Sequence, residues 1–358
     1  MRRRRFIEGM AAVALGASSG VGSGSAGAAE PPAALLAWAQ ATSGRLPKLG
    51  RTDALLVLQN GQTVFERYGA DHGPTTRHVS WSMAKSITHA LVGVAVGQGK
   101  VDIDQPTQTL ADSHPSLTLR HLLTMTDGLD WVDSRPNLIQ SDNTRMLFGV
   151  GRANTAGYVA TRHQIHPPGT HWNYSTGAYQ MIAREISVRL FPQAKGPQAI
   201  QTAMAGWMRA GLFDPVGMTS AVMEFDPSGT FYAGSLAWAT ARDFGRFGEL
   251  YRNDGVSSGR RILPEGWVKF ARTPTVANIY GAGFWLEARH GRPEASLMGG
   301  AGPLDAFSAE GFHGQVILIV PSKALTVVRL GLTTGGWEEL GAWLARIING
   351  FPDSRTSA

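Results

Sequence analysis

Two stretches of this chain carry the short apolar bursts of β-strands, and they lie far apart. "ALLVLQNGQTVFERYG" (Ala54–Gly69) is a pair of bursts about Asn60–Gly61, a dipeptide suited to a two-residue hairpin. "GQVILIVPSKALTVVRLG" (Gly314–Gly331) repeats the arrangement about Pro321–Lys323. Between them, from about residue 104 to 230, helical periodicity replaces alternation. "SLTLRHLLTMTDGL" has a Ser116/Thr118 start, a periodic apolar body and a Gly128 stop. Gly177–Phe191, Ala199–Phe213 and Ala239–Gly255 read as amphipathic helices, as do Ala33–Thr42 near one end and Trp337–Asn349 near the other. Strands near both ends and helices in the middle predict an α+β fold. One antiparallel sheet is built from both termini and flanked by helices, with a helical subdomain inserted. The expected divisions are 1–28 as an export signal, 29–103 and 231–358 as the α/β domain, and 104–230 as the helical insertion.

"WSMAKSITHALVGVAV" (Trp81–Val96) breaks the pattern. It is apolar nearly all round and reads as a buried helix, yet it contains Lys85, the single charged residue between Arg77 and Lys100. Ser82 precedes that lysine by three residues, which places both on one helical face. In a buried face, desolvation lowers the lysine pKa, and a neutral amine can take the hydroxyl proton of Ser82. Ser82 is expected in the first helical turn, where the helix dipole favours developing negative charge. The chain has six lysines, and Lys85 alone has a serine three positions earlier. A lysine snorkelling beside an incidental serine would produce the same four letters, so two further segments matter.

In "PPGTHWNYSTGAYQMIA" (Pro167–Ala183), Tyr174 stands on a loop just before a helix. Beside a cation its oxygen could exist partly as phenolate and relay a proton to a leaving group; a phenol tied to backbone is the plainer alternative. In "AEGFHGQVILIVP" (Ala309–Pro321), Gly311 and Gly314 flank Phe312-His313 ahead of a strand. Such a turn can aim a backbone N–H into a cleft, where with the N–H of Ser82 it would form an oxyanion hole. His313 is read as a structural hydrogen-bonding residue there.

"SMAKS", "LTLRHLLTMTDGLDW", "WNYSTG", "LFDPVGM", "AGSLAWATARDFGRFGELY" and "GFHGQVILIVP" occur in an order that resembles the serine β-lactamase-like superfamily, from about residue 50 to 349. That superfamily includes class C β-lactamases, DD-peptidases and esterases, and the chain is most similar to the branch containing 6-aminohexanoate-dimer hydrolase. The resemblance implies that Ser82 is the acylated nucleophile, Lys85 its general base and Tyr174 the tyrosine of the Tyr-x-Asn motif. It places Ala309-Glu310-Gly311 at the Lys-Thr-Gly motif, with the second oxyanion N–H from Phe312. Thr176 stands where the lactamases have Asn, and Ala309 where they have Lys. Gly311, Phe312, Thr176 and His313 are thus expected around substrate. Loss of the motif's cation removes a charge-assisted hydrogen bond to a substrate carboxylate, worth about 1.5–3 kcal/mol. The implied function is hydrolysis of esters and, in some members, linear amides. The alternatives are a cell-wall DD-peptidase and a penicillin-binding or sensing module without turnover.

Composition changes the picture in three places. The formal charge of +6 owes much to Arg2–Arg5, less Glu8. The remaining excess is dispersed, so no nucleic-acid partner is expected. There is no cysteine, which excludes disulfides, thiolate metal sites and Cys nucleophiles. "RRRFIEG", a weakly apolar Met10–Val21 and the small residues Ala26–Ala28 look like a twin-arginine export signal. That makes the export machinery a partner and the periplasm, or the exterior, the expected location. No later segment is long enough for a membrane span. The chemistry requires no metal or organic cofactor, and the substrate is a small ester or amide. Two Gly-x-Ser-x-Gly matches, Gly16–Gly20 and Gly255–Gly259, lack the strand-to-helix context that motif needs. His163, His166 and His171 crowd a Pro-Pro segment with no acid, a poor metal set. Asp130, Trp131 and Asp133 are expected at the rim of the cleft, and Trp238, Phe244 and Phe247 in the core.

Overall fold

The hairpin about Asn60–Gly61 forms as expected. Strands Gly50–Gln59 and Gln62–Tyr68 pair antiparallel, and Asn60 (φ 52°) and Gly61 (φ 77°) take the two left-handed positions of the turn. The computed structural model describes residues 35, 45–46, 49–110, 112–134, 137–287, 296–333 and 336–354. The export reading of 1–28, the first Gly-x-Ser-x-Gly match and, apart from Leu35, the expected Ala33–Thr42 helix lie outside the described residues.

Both ends of the chain contribute to one seven-stranded antiparallel sheet. Its order is Arg45–Leu46, Gly50–Gln59, Leu325–Leu332, Gln315–Val320, Phe307–Gly311, Trp285–Leu286, with Gln62–Tyr68 also on Gly50–Gln59. The central strands are apolar at consecutive positions because both faces are covered. Leu55, Val57, Val316, Leu318 and Val327 meet Leu340, Trp343, Leu344 and Ile347 of the Trp337–Asn349 helix. Ala54, Leu56, Leu58, Ile317 and Val328 share the other core with Phe244 and Phe247 of the Ala241–Arg252 helix. Each fully buried side chain of this kind contributes about 1.5–3 kcal/mol. Leu344→Ala would cost about 2–5 kcal/mol.

The second core continues without a break into the helices of the middle segment, Leu119–Leu123, Asp142–Leu147, Thr155–Ala160, Thr176–Leu190 and Pro197–Met208. Helix Ala84–Gly97 buries twelve of its fourteen residues among them. A short sheet of His78–Val79, Ala237–Ala239 and Val222–Met223, with no sequence signal of its own, sets the chain direction just before Ser82.

Three expected helices differ. The Ser116–Gly128 helix shortens to Leu119–Leu123, capped by Thr118. It stops there because Thr124 Oγ1 turns back to the Arg120 carbonyl and Met125 turns left-handed (φ 55°). The Ala199–Phe213 helix runs as Pro197–Met208 and then widens into a π turn, Arg209–Phe213. The Ala239–Gly255 helix begins at Ala241, because the Thr240 side chain accepts from Asp243 N as its N-cap. That leaves Trp238 on a strand, where its indole N–H donates to Glu224, while Phe244 and Phe247 are in the core as expected. Gly255–Gly259 belongs to the surface hairpin of Val256–Ser257 and Arg260–Arg261.

Candidate active site

Ser82 sits one step earlier than expected. It lies in a single 3₁₀ turn, Trp81–Met83, that feeds the Ala84–Gly97 helix. A 3₁₀ turn nearly eclipses positions i and i+3, and Lys85 Nζ lies 3.1 Å from Ser82 Oγ. The turn is held from two sides. Ser80 N donates to Ala237 O at 2.7 Å, and Ser80 Oγ accepts from Ala237 N at 3.1 Å. On the other side the strand end at Gly311 comes so close that a Cβ there would stand 2.2 Å from the Ser80 carbonyl oxygen. Glycine at this position is a requirement of space. Trp81, between these braces, has φ 44°, a conformation of a kind that persists only where the surroundings impose it.

Lys85 is almost wholly buried and has three partners: Ser82 Oγ, Thr176 Oγ1 at 2.9 Å and the Gly234 carbonyl at 2.8 Å. Burial lowers its pKa to about 8, and the nearby Asp133 carboxylate resists the fall. Asp133 is itself fixed, because its Oδ1 accepts from Trp131 Nε1 at 2.9 Å and from the backbone N–H of Thr176 at 2.7 Å. The second of these bonds places its charge at the N-terminus of the Thr176–Leu190 helix.

Tyr174, half-buried, approaches the same centre. Its ring centroid is 4.8 Å from Lys85 Nζ, and the ring lines the same cleft as Ser82. Burial, then the Asp133 carboxylate, push its pKa well above 10. The phenol therefore stays protonated, which corrects the expectation of a partial phenolate. Tyr174 stacks on Trp285 at 5.3 Å.

Ser82, Tyr174, Gly311 and Phe312 all line one cleft of about 690 Å³. The Phe312 ring packs edge-on to Trp81 at 5.8 Å. His313 (φ 63°) makes the turn after it and points its ring away, Nδ1 lying 3.3 Å from the Thr333 carbonyl. Thr176 is also turned from the cleft. Its side chain is fully buried with its hydroxyl on Lys85, so it holds the base and does not face substrate. Of the three rim candidates, Trp131 and Asp133 line the cleft and Asp130 is exposed to solvent. The sequence reading gave no role to Gly234, whose carbonyl anchors Lys85, or to Glu310 and Trp285 in the cleft wall. Nothing in local sequence marks a carbonyl 149 positions from the amine it binds.

His163, His166 and His171 yield only a stacked pair, His166 on His171 at 4.1 Å. Asp53, His72 and His78 bring ligating atoms within 4.8 Å of one another. Zinc bonds of 2.0–2.1 Å would require ligand spacings of about 3.3 Å. The Asp53 carboxylate is already taken by Arg51 at 2.6 Å, and the two imidazoles stack at 5.3 Å, so this cluster fits an ion pair better than a metal centre.

The sequence pattern of the Beta-lactamase family matches residues 48–346, most of the chain. The chain belongs to that family. Among relatives of this β-lactamase-family protein is the 6-aminohexanoate-dimer hydrolase of Paenarthrobacter ureafaciens, 25% identical over 241 residues. That match spans 63% of this chain and 59% of the relative's length. A solved structure from Bacillus anthracis that carries the same hydrolase name superposes with TM-score 0.65 at 22% identity, over 83% of this chain and 78% of its own. EstCE1, a hydrolase with promiscuous acyltransferase activity, gives TM-score 0.63 at 14% identity, over 89% and 98%. These superpositions establish the shared α+β fold, and the family assignment makes the chain a member of the β-lactamase family.

Proposed function

We propose that the protein is a serine hydrolase that cleaves carboxylic esters, and linear amides of the 6-aminohexanoate-dimer kind, through an acyl-enzyme on Ser82. One observation carries this reading: an amine lowered to about 8 sits 3.1 Å from a cleft-facing serine hydroxyl.

Neutral Lys85 accepts the Ser82 proton as Oγ attacks the carbonyl carbon. The N–H groups of Ser82 and Phe312 hold the resulting oxyanion. As the tetrahedral adduct collapses, the proton passes from the Lys85 ammonium through the Tyr174 phenol to the departing oxygen or nitrogen. Water then enters, gives its proton back along the same route and releases the acid, regenerating Ser82. Both N–H bonds of neutral Lys85 remain satisfied by Thr176 and Gly234, which turns its lone pair towards Ser82. The cleft has no cation among its described lining residues to hold a carboxylate one carbon from the scissile nitrogen, which favours esters and linear amides over β-lactams and over D-alanyl-D-alanine peptides. The twin-arginine-like pattern read in residues 1–28 supports a site of action outside the cytoplasm. Arg3→Lys with Arg4→Lys should hold the protein inside.

With p-nitrophenyl butyrate the reading expects a burst followed by steady release, both abolished by Ser82→Ala. Lys85→Arg should fail as well, because a guanidinium stays protonated. One equivalent released and then silence would replace the hydrolase with a sensing module. Faster turnover of nitrocefin or of a D-alanyl-D-alanine peptide than of any ester would replace it with a lactamase or DD-peptidase.

A further inference from the structure

The cleft around Ser82 has a distinctive charge pattern. Its described lining contains two carboxyl groups, Asp133 and Glu310, and no lysine, arginine or histidine. Asp133 is engaged by Trp131 and Thr176, as described above. Glu310 differs. It is half-buried on strand Phe307–Gly311, one of its oxygens accepts from Ser308 Oγ at 2.7 Å, and it forms part of the cleft wall. It stands beside Trp285 and Trp337, where the cleft meets a neighbouring groove that contains all three residues. Farther along that groove Glu338 and Arg346 carry opposite charges. From Ser82 the path to Glu310 is aromatic, running over Tyr174 and then Trp285 stacked on it.

A carboxyl group that shares its cleft wall with two tryptophans is suited to one kind of guest. Burial raises the Glu310 pKa to about 7, so above neutral pH its carboxylate is a charge partner for an ammonium, with Trp285 and Trp337 in the same wall. A carboxylate would meet like charge there, with no cation among the described residues that line the cleft. The position is one residue after Ala309 and two before Phe312, so a group bound there belongs to a molecule whose carbonyl lies over Ser82.

We propose that Glu310, with Trp285 and Trp337, forms a subsite for an ammonium group, primary or quaternary, carried by the ester or amide that Ser82 attacks. The substrate class this names rests on the hydrolase reading above. The acid wall also discriminates against anionic esters.

Three thioesters of similar shape test the subsite: butyrylthiocholine, its uncharged isostere 3,3-dimethylbutyl thiobutyrate, and the anionic S-butyryl-3-mercaptopropionate. At about pH 8.5, where Glu310 is ionised, the expected order of kcat/KM is cation, neutral, anion, with about tenfold between the first two. Glu310→Gln should shrink the cation-to-neutral ratio by about tenfold and Glu310→Lys should invert it. If Glu310→Gln fails to fold, the wild-type ratio falling as salt rises from about 50 to 500 mM reads the same charge. A wild-type ratio of one or less, or a ratio unchanged in Glu310→Gln, overturns the subsite. Turnover of the neutral ester, lost in Ser82→Ala, reports on the hydrolase reading whatever the ratio. If no thioester is turned over, that reading fails. The subsite is then read by tryptophan fluorescence on titrating phenyltrimethylammonium: about tenfold weaker binding to Glu310→Gln supports it, and equal binding overturns it.

Discussion

Among the described residues Lys85, Lys323 and Arg329 are buried cations, and the surroundings of Lys85 and Arg329 assign those two different work. Arg329, on strand Leu325–Leu332, is fully enclosed. Its guanidinium donates to the carbonyls of Arg51 at 2.9 Å, Leu49 at 3.4 Å, His313 at 3.1 Å and Gly314 at 2.8 Å, and to Thr52 Oγ1 at 3.2 Å. Burial lowers it to about 10, so it is still charged at neutral pH. It ties the sheet to the turn that follows Phe312. Lys85 is as deeply buried but has three partners, and one of them is a hydroxyl open to the cleft. At about pH 8 it can lose a proton and keep both remaining N–H bonds satisfied. Equal burial thus produces a brace in one place and a base in the other. The difference lies in the number of acceptors and in which side chain can release a proton.

The comparison breaks most sharply at Lys85. Lys85→Met should reduce ester kcat/KM by about 10²–10⁴-fold. The same substitution should leave the melting temperature unchanged or raise it, because a buried ammonium is replaced by an apolar chain of similar size. Calorimetry and ester kinetics on one sample would show the two effects parting. At Arg329 the effect should be the opposite kind. Arg329→Met removes the guanidinium that the Gly314 and Arg51 carbonyls and Thr52 Oγ1 share and should cost about 3–5 kcal/mol in urea unfolding. Any activity that survives should keep its pH profile.

A third effect is linkage. Unfolded Lys85 holds its proton up to about pH 10.4, and folded Lys85 releases it near about 8. The unfolded chain therefore binds more protons between those values, and stability should rise with pH across that window by up to about 3 kcal/mol. Lys85→Met should remove this slope, while Arg329, charged through most of the window, contributes little to it. The smallest effect concerns Tyr174. Tyr174→Phe should lower kcat by about 10–10²-fold, more for an amide than for a p-nitrophenyl ester, whose leaving group needs no proton.

Much of this was legible in the sequence. The Asn60–Gly61 and Pro321–Lys323 hairpins announced a sheet drawn from both ends, because turn chemistry is local. Ser82, Lys85 and Tyr174 stood out because a charge in an apolar helix, and a tyrosine just ahead of one, are local oddities. The glycines around Phe312-His313 marked the turn, and the choice of the Phe312 N–H came from resemblance. Thr176 was read as facing substrate and instead holds Lys85, because the direction of a helix's first side chain depends on what packs against it. Arg329 and Gly234 were invisible for the same reason: their roles arise from partners brought together by the sheet and by the crossing of the Ala84–Gly97 helix. The 3₁₀ turn at Trp81–Met83 was missed because two flanking strands impose it and the residues themselves do not signal it.

The central claim is that neutral Lys85 activates Ser82. The pre-steady-state rate of Ser82 acylation by a p-nitrophenyl ester, followed from pH 6 to 10 with the modified peptide identified by mass spectrometry, tests it most directly. The account predicts label on Ser82 and a rate that climbs about tenfold per pH unit and levels off above about pH 8. A rate independent of pH across that range, or label on any other side chain, would contradict it.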